Sequence, residues 1–514
     1  MNKLKIKDIL KNIDIVDTNR KIDMEREIDS LSYHTDTVTE NGAFVAVKGY
    51  VTDGHKYIPV AVNKGASLVI VEDFTDDDVD EIKVGNSRIA LADIANNFYK
   101  EPSKELNITG ITATNGKTTT SFMLDKIYKD AGFNTGLIGT VYTKYEDVVI
   151  PSILTTPESA ELQRILRDMA DRKIEKVTME VSSSSQQEYR VKNIIYDIVT
   201  FNNFSREHID EHGTFEKYYE EKSKLIRNAS SNAVAILNVD FDKIRDLKDK
   251  TKSSVLTYSL ENNSEDFAIS DLDLSTGKGK FIFHINNDIE YKNVKISKGS
   301  FNVELTVAGY SSVMNSVVAI IVALLNGVSI ENIQKSLFEF TGVERRFELI
   351  YDEKFQIIDD HYANIRNIDV TLDTLSKMDY KDFHMLYAIR GSRGVNLNRE
   401  TAELTANWLK KLNYKTFYAT LSKDTVKRKD TVTSDELEIF KKVMNDNNIN
   451  YKIFETLEDG VKEIVKVARD NDVVLLAGCQ GMDKGASFAV EQLLEDNLSE
   501  NPEELKDRIS QRIC

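Results

Sequence analysis

Residues 108–120, Ile-Thr-Gly-Ile-Thr-Ala-Thr-Asn-Gly-Lys-Thr-Thr-Thr, constrain this chain more than any other stretch. Ile108 and Ile111 lead into a turn of small residues that ends in Gly116-Lys117-Thr118. Leu124, Ile127, Tyr128 and Ala131 then recur at the spacing of one helix face, and Gly132 stops the pattern. A strand, a glycine turn, Lys-Thr and a helix together make an anion site of the kind that holds nucleotide phosphates. Backbone N–H groups and the helix N-terminus face the anion, the lysine adds a point charge, and the threonine hydroxyl can hold Mg²⁺. The generic motif wants a glycine where this chain has Ile111, and Gly110 is one residue off. The stretch therefore reads as a shorter variant of the phosphate loop.

A chain of 514 residues suggests about three domains of roughly 150 residues each. The longest apolar run, Val317–Leu325, falls far short of the roughly 18 to 20 residues of a membrane span. Lys3, Lys5 and Lys7 are followed by no apolar signal core, so no membrane association is expected. Cys479 and Cys514 are the only cysteines. A disulfide framework is not indicated, and a reducing cytoplasm fits. The net charge of −17 argues against a nucleic-acid surface, which needs a basic patch. It does not argue against nucleotides, because a nest of N–H groups with Mg²⁺ binds phosphate locally. A monomer is the default expectation.

Three blocks can be drawn. Residues 1–101 alternate short strands and helices: Phe44–Val47, a helix near Ile58–Asn63, then Ser67–Val71. Pro102-Ser103 marks a joint. Residues 102–342 begin with the phosphate loop. They continue with a helix carrying Leu162, Ile165, Leu166 and Met169, and with strands Val177–Val181, Ile198–Phe201 and Ala233–Val239. A β-rich patch (267–307) and an apolar helix (317–325) close the block, and Gly342–Arg346 marks the second joint. Residues 343–514 carry strands near Phe355–Ile358, Met385–Ile389, Thr416–Ala419 and Val473–Leu476. The charged tail 497–514 reads as a loose helix. Alternating strands and helices imply an α/β chain with mostly parallel sheets, whose ligands sit beyond the strand C-termini.

Several ordered motifs carry a resemblance. They are Thr112–Thr120; Thr155-Thr156-Pro157; Glu180-Val181-Ser182-Ser183 with Arg190-Val191; Asn203–Asp210; and His212-Gly213-Thr214. In these the chain resembles the Mur ligases, the ATP-dependent amide-forming enzymes of peptidoglycan synthesis, and within them the UDP-N-acetylmuramoyl-tripeptide synthetases. The likeness runs over nearly the whole chain and is strongest from 108 to 226. It implies a three-domain α/β fold. A central phosphate-loop domain with a parallel sheet (102–342) would lie between an N-terminal UDP-sugar-binding domain (1–101) and a C-terminal Rossmann-like domain for the incoming amino acid (343–514). The substrates implied are ATP, a UDP-muramoyl dipeptide and an amino acid, with Mg²⁺ as cofactor and an acyl phosphate as intermediate.

The resemblance also implies roles. Lys117, Glu180, His208 and Lys222 would be catalytic, with Thr118, Glu180 and His208 around Mg²⁺. Ala113, Thr114, Asn115, Gly116, Lys117, Thr118 and Thr119 would hold ATP, joined by Asn315, Arg346 and Asp360. Lys222 matches a lysine that the family carbamylates to N6-carboxylysine, which demands a lysine able to lose its proton. Thr35, Tyr50, Val51, Thr52, Thr155, Thr156, Ser182 and Arg190 would hold the UDP-sugar-peptide. Arginine suits a carboxylate or diphosphate through its planar fork. Arg393, Arg399, Gly478 and Asp483 would face the amino acid.

The chain also departs from the family pattern. Ser184 stands for a histidine, Glu188 for a glutamine, Glu207 for an aspartate, and Ala113 for a glycine. The Asp-Asn-Pro-Arg clamp for a diamino acid is missing from Thr420–Lys427, and the late Gly-Lys-Gly-His-Glu reads Gly478-Cys479-Gln480-Gly481-Met482. Specificity for meso-diaminopimelate is therefore not expected. Three readings stay open: addition of the third amino acid to UDP-N-acetylmuramoyl-L-alanyl-D-glutamate, a paralogous ligase with another acceptor or amino acid, and a degenerate nucleotide-binding scaffold.

Overall fold

The computed structural model describes residues 3–49, 52–205, 213–275, 278–362, 365–412, 414–510 and 512. The chain divides into two compact units. One holds Met1–Ala268, Ile285–Lys298 and Val318–Asn332; the other holds Ile269–His284, Gly299–Val317 and Ile333–Cys514.

In the first unit, β1 (Ile15–Thr18), β2 (Ser30–Ser32), β3 (Gly42–Val45), β4 (Ala66–Val71) and β5 (Asp80–Val84) form a sheet in the order β1-β5-β4-β3-β2. Only β1 is antiparallel to its neighbour. Helix α1 (Ser87–Phe98) is capped by Asn86, whose side chain accepts from Arg88 N and Ile89 N. It buries Leu91, Ile94, Ala95 and Phe98.

The same unit continues with β6 (Asn107–Thr112), α2 (Lys117–Asp130), β7 (Thr135–Ile138), β8 (Tyr142–Tyr145), β9 (Val148–Pro151) and α3 (Ser159–Asp171). Then come β10 (Lys176–Glu180), β11 (Ile198–Phe201), α4 (Phe215–Arg227), β12 (Val234–Asn238) and β13 (Ser254–Ser259). The strand order is β9-β8-β7-β10-β6-β11-β12-β13. From β7 to β13 all neighbours are parallel, and the β8–β9 hairpin extends one edge antiparallel. Strands of such a sheet are covered on both faces and read as continuous apolar runs; every residue of β12 is buried. Gly110, mid-strand in β6, is required by packing: a Cβ there would meet the Tyr196 ring at 2.7 and 2.8 Å. Because the strands are parallel, the loop after β6, the end of β10 and the turn after β11 all emerge at one edge.

The second unit contains β14 (Glu348–Asp352), β15 (Gln356–Asp360), β16 (Phe383–Ala388), α5 (Val395–Leu412), β17 (Thr416–Thr420), α6 (Ser434–Asp446) and β18 (Lys452–Phe454). It ends with α7 (Leu457–Val467), β19 (Val473–Ala477), α8 (Gly485–Glu495) and α9 (Pro502–Ser510). Its sheet runs β14-β15-β19-β16-β17-β18, parallel except for β14.

The expected helix Ile58–Asn63 and strand Ile198–Phe201 occur at those bounds. The tail departs from the expectation of a loose helix: α9 is docked. Leu505 is buried in the core of the second unit, and Arg508 Nη1 donates to Leu349 O at 3.0 Å and Ile350 O at 3.1 Å. One leucine and two arginines, Arg508 and Arg512, fasten an otherwise charged segment. No helix among the described residues is long and apolar enough to cross a membrane.

Candidate active site

After β6 the chain turns through Ala113–Gly116 into α2. Gly116 sits at φ +86°, a left-handed conformation that glycine adopts without strain. Asn203, just past β11, fastens the turn. Its backbone oxygen accepts from Thr114 N at 3.0 Å, its Oδ1 from Asn115 N at 3.0 Å, and its Nδ2 donates to Asn115 O at 2.8 Å. Lys117 lies back over the loop, with Nζ donating to Ala113 O at 2.9 Å and Thr114 O at 3.2 Å. Thr119, in the same first turn of α2, is half-buried.

Lys222 projects from α4 and is only 2% exposed. Its Nζ donates to the same Ala113 O at 2.7 Å and stands 5.1 Å from the centre of the Tyr218 ring. Two lysines from different helices thus converge on one carbonyl of the phosphate loop.

Glu180 ends β10 and is fully buried. Its Oε2 accepts from Thr118 Oγ1 at 3.0 Å and Thr140 Oγ1 at 2.9 Å, and its Oε1 from Thr140 N at 3.0 Å. Thr140 went unread in the sequence because it belongs to no motif; only its place one residue after the β7 turn glycine, Gly139, marks it. Thr156 Oγ1 donates to Glu180 O at 2.9 Å, and Thr155 and Thr140 share a hydroxyl contact at 3.1 Å. Ser182 caps the short helix Ser183–Gln187 by accepting from Ser185 N at 3.1 Å.

Oxygen donors suit a hard cation such as Mg²⁺, and Thr118 and Glu180 present two of them side by side. Among the described residues no group of three or more His, Cys, Asp and Glu side chains is arranged to hold a metal. His208 lies outside the described residues, as do Tyr50 and Val51.

Arg190, 8% exposed, is enclosed by carboxylates. Its Nε lies 3.0 Å from Glu188 Oε2 and 3.1 Å from Glu158 Oε1, and Nη1 donates to Thr156 O at 3.3 Å. Arg88, from α1, reaches Glu188 Oε2 at 3.3 Å. Burial pushes the Glu158 carboxyl above its ordinary range, against the pull of Arg190 and Arg88. Tyr33 is pushed up to about 12 by burial, then by Glu161 and Glu158. Glu188 in place of a glutamine was the sequence signal for this ion network. Thr35 and Thr52 have other partners: Thr35 O accepts from Lys64 Nζ at 2.9 Å, and Thr52 Oγ1 donates to Tyr57 OH at 3.4 Å.

In the second unit, Asn315 is 2% exposed and its side-chain oxygen has no hydrogen-bond partner among the described residues. Arg346 is exposed, whereas Arg345 is buried at φ +58°. Arg345 donates to Asp359, Asp483 and Gly478 O. Asp483 is therefore spoken for by an arginine that the sequence did not single out. Asp360 is buried and accepts from Phe347 N and Tyr362 N, both at 2.9 Å. Burial, followed by Arg346, Arg345 and Arg390, pushes His361 down to about 3, so its imidazole is neutral. Arg393 is exposed, with Nη2 3.5 Å from Asp430, and Arg399 is exposed on α5. The N–H groups of Ser392, Arg393 and Gly394 form a concave anion nest, already filled by Glu436 at 3.0, 2.8 and 2.7 Å. Where the clamp is missing, Asp424 accepts from Leu457 N at 2.8 Å and Glu458 N at 3.2 Å, at the start of α7.

Three family descriptions match the chain: "Mur ligase family, catalytic domain" over residues 27–99, "Mur ligase middle domain" over 111–323, and "Mur ligase, glutamate ligase domain" over 345–480. The UDP-N-acetylmuramoyl-L-alanyl-D-glutamate–2,6-diaminopimelate ligase of Halalkalibacterium halodurans is 30% identical, covering 88% of this chain and 89% of the relative. The ligase of the same name from Clostridium botulinum is 30% identical over 93% of this chain and 96% of its own length. Among solved structures, one of a ligase with this name superposes with a TM-score of 0.68 at 20% identity, covering 96% of this chain and 99% of the other. MurF ligase from Thermotoga maritima in complex with ADP gives a TM-score of 0.63 at 21% identity, over 93% and 98%.

Proposed function

This chain belongs to the Mur ligase family, and from that premise we propose that it joins an amino acid to UDP-N-acetylmuramoyl-L-alanyl-D-glutamate at the expense of ATP. It is an ATP-dependent acid–amino-acid ligase with the three-domain α/β fold of the family, and the product is the third-residue amide of a peptidoglycan precursor. We keep the blocks 1–101, 102–342 and 343–514 as acceptor, ATP and amino-acid domains, and a cytoplasmic monomer as the working form.

The acceptor carboxylate attacks the γ-phosphorus of ATP, and ADP leaves. The incoming amine then attacks the acyl phosphate, and inorganic phosphate leaves. Positioning and charge neutralisation do most of the work in such transfers. Lys117 and the N–H groups of the 113–119 turn would hold the β- and γ-phosphates. Thr118 and Glu180, with His208, would hold Mg²⁺, which when bound supplies positive charge to the transferring phosphoryl group. Lys222 as a carbamate would keep one N–H for Ala113 O while adding an anion behind Lys117. Thr155, Thr156, Ser182 and Arg190 would seat the acceptor, with Thr35, Tyr50, Val51 and Thr52 at its uridine end. Asn315, with its unmatched oxygen, would meet the adenine, and Arg346 and Asp360 would complete the nucleotide site. Arg393, Arg399, Gly478 and Asp483 would line the donor side.

The observation that carries this reading is the buried Glu180 carboxylate held by Thr118 and Thr140 at the strand edge that also bears the Lys117 loop. ADP release is the test, measured with the UDP-muramoyl dipeptide and a panel of amino acids. Release that requires both co-substrates supports the reading, and none under any condition refutes it. The named relatives make 2,6-diaminopimelate the reference donor. A second reading, a paralogue with a different donor or acceptor, is favoured by Asp424, which stands in the stretch where the clamp would lie and is engaged by the N–H groups at the start of α7. Release with amino acids but without the nucleotide sugar would support it.

A further inference from the structure

The last described residue of the tail, Arg512, has a side chain only 4% exposed. Its Nη2 donates to Asp359 Oδ2 at 2.7 Å and its Nη1 to Glu348 Oε2 at 2.8 Å. Both carboxylates also belong to Arg345. Asp359 Oδ1 accepts from Arg345 Nε at 3.4 Å, and Glu348 Oε2 accepts from Arg345 N at 2.8 Å. The far end of the Arg345 guanidinium donates to Gly478 O and Asp483. Two arginines therefore share two buried carboxylates, and one of them reaches the turn that follows β19.

We propose that Arg512 is a positioning residue for the amine-donor side of the site, acting through Asp359 and Glu348 on Arg345 and through Arg345 on the Gly478–Asp483 turn. This rests on the assignment of that turn to the incoming amino acid. The charges explain the dependence. With Arg512 present, two guanidiniums face Asp359, Glu348, Asp483 and Glu344, whose Oε1 lies 3.6 Å from Arg512 Nε. Without it, one guanidinium faces four carboxylates, and breaking a buried pair leaves an uncompensated charge that its surroundings must relax to accommodate. Arg345, already bound to Asp359, would be drawn from Gly478 and Asp483 toward the buried acids. Its left-handed backbone (φ +58°) is an added reason for the arrangement to need support from several sides. The tail is thus a working part of the domain.

The test uses the full chain carrying Arg512→Gln, and the same chain with Glu348→Gln added. The amide oxygen of a glutamine in place of Glu348 would still accept from Arg345 N, while the surplus negative charge is removed. In R512Q the KM for the amino acid should rise by about ten- to a hundredfold, the range expected when a reacting group is misplaced by roughly 1 Å. KM for the acceptor should stay within about twofold, since Thr155, Thr156, Ser182 and Arg190 belong to the other unit, and KM for ATP should rise less than KM for the amino acid, since Arg346 and Asp360 only adjoin the network. Adding E348Q should bring the amino-acid KM most of the way back. Amide hydrogen exchange gives a readout independent of turnover. Gly478 N, which donates to Asp360 O, and Met482 N, which donates to Cys479 O, should exchange faster in R512Q and slow again in the double variant. Unchanged exchange at these amides, or an equal rise in all three KM values, overturns the proposal. An inactive wild-type chain would instead count against the ligase reading, leaving the exchange result to decide the role of Arg512.

Discussion

Gly139→Ala is the most direct probe of the Glu180 arrangement. A Cβ at Gly139 would stand 3.0 Å from Glu180 Cδ and 3.3 Å from Cγ, and nearer still to Oε1. Ordinary van der Waals contact begins near 3.4 Å, so the carboxylate has to withdraw by about 1 Å, a displacement that costs about a hundredfold in rate when the group orients a reaction. It cannot withdraw without loosening its bonds from Thr118 Oγ1, Thr140 N and Thr140 Oγ1. Hydrogen bonds to a buried charged group are worth about 1.5–3 kcal/mol each. Loss of the equivalent of one gives an expected destabilisation of about 2 kcal/mol. The assay is ATP turnover with all substrates, read well below the unfolding midpoint, alongside the midpoint itself. Gly85→Ala is the control, because a Cβ there meets nothing within 4 Å; it should leave rate and midpoint close to wild type. A G139A enzyme that keeps its rate within about threefold would show that the position of Glu180 is not what sets the chemistry.

Two further outcomes follow from buried charge. The folded His361 titrates at about 3, below its ordinary 6.5, so its contribution to stability is whole above about 6.5 and is lost as pH falls toward 3, at up to about 1.4 kcal/mol per pH unit. His361→Gln should flatten the acid limb of the unfolding midpoint in that window, and identical limbs in the two proteins would contradict the assignment. Glu188→Gln should release Arg190 from one of its carboxylates and lower the KM for an acidic acceptor by about fivefold, in the range of a charged interfacial contact. A higher KM would mean that Glu188 aims Arg190 at the acceptor rather than competing for it.

What the sequence displayed and what it hid differ by range. The strand, turn and helix of 107–130 were legible because they depend on neighbours: Ile108 and Ile111 before the turn, Gly116 in it, and the 3.6-residue rhythm from Leu124 to Ala131 after it. The helix bearing Leu162, Ile165, Leu166 and Met169 was legible for the same reason, and all four residues are buried. Partners at a distance were not legible. Nothing local distinguishes Arg345 from Arg346, yet one is buried among carboxylates and the other is exposed. The choice is made by Asp359, 14 positions on, and by Asp483 and Arg512, which fold in from far along the chain. The same holds for Arg88, whose bond to Glu188 spans 100 positions. The tail looked loose because its composition is charged; composition does not reveal that Arg512 has a buried acid waiting for it.

Lys117 and Lys222 sharing Ala113 O gives the carbamate a physical motive and a sharper test. Their nitrogens stand 2.9 and 2.7 Å from one oxygen, hence no more than about 5–6 Å apart, where two unit charges repel by about 3 kcal/mol at an effective dielectric near 20. The neutral amine is the form that adds CO₂, and the resulting anion turns the repulsion from Lys117 into attraction of similar size. Arginine cannot follow this course, since its guanidinium keeps its proton. Lys222→Arg should therefore lose activity as fully as Lys222→Ala, by about a hundredfold or more, although it keeps the positive charge. The wild-type rate should fall in CO₂-depleted buffer and return with bicarbonate. A Lys222→Arg enzyme with the wild-type rate, or a wild-type rate indifferent to CO₂, would mean that Lys222 acts as an ordinary cation bracing the loop through Ala113.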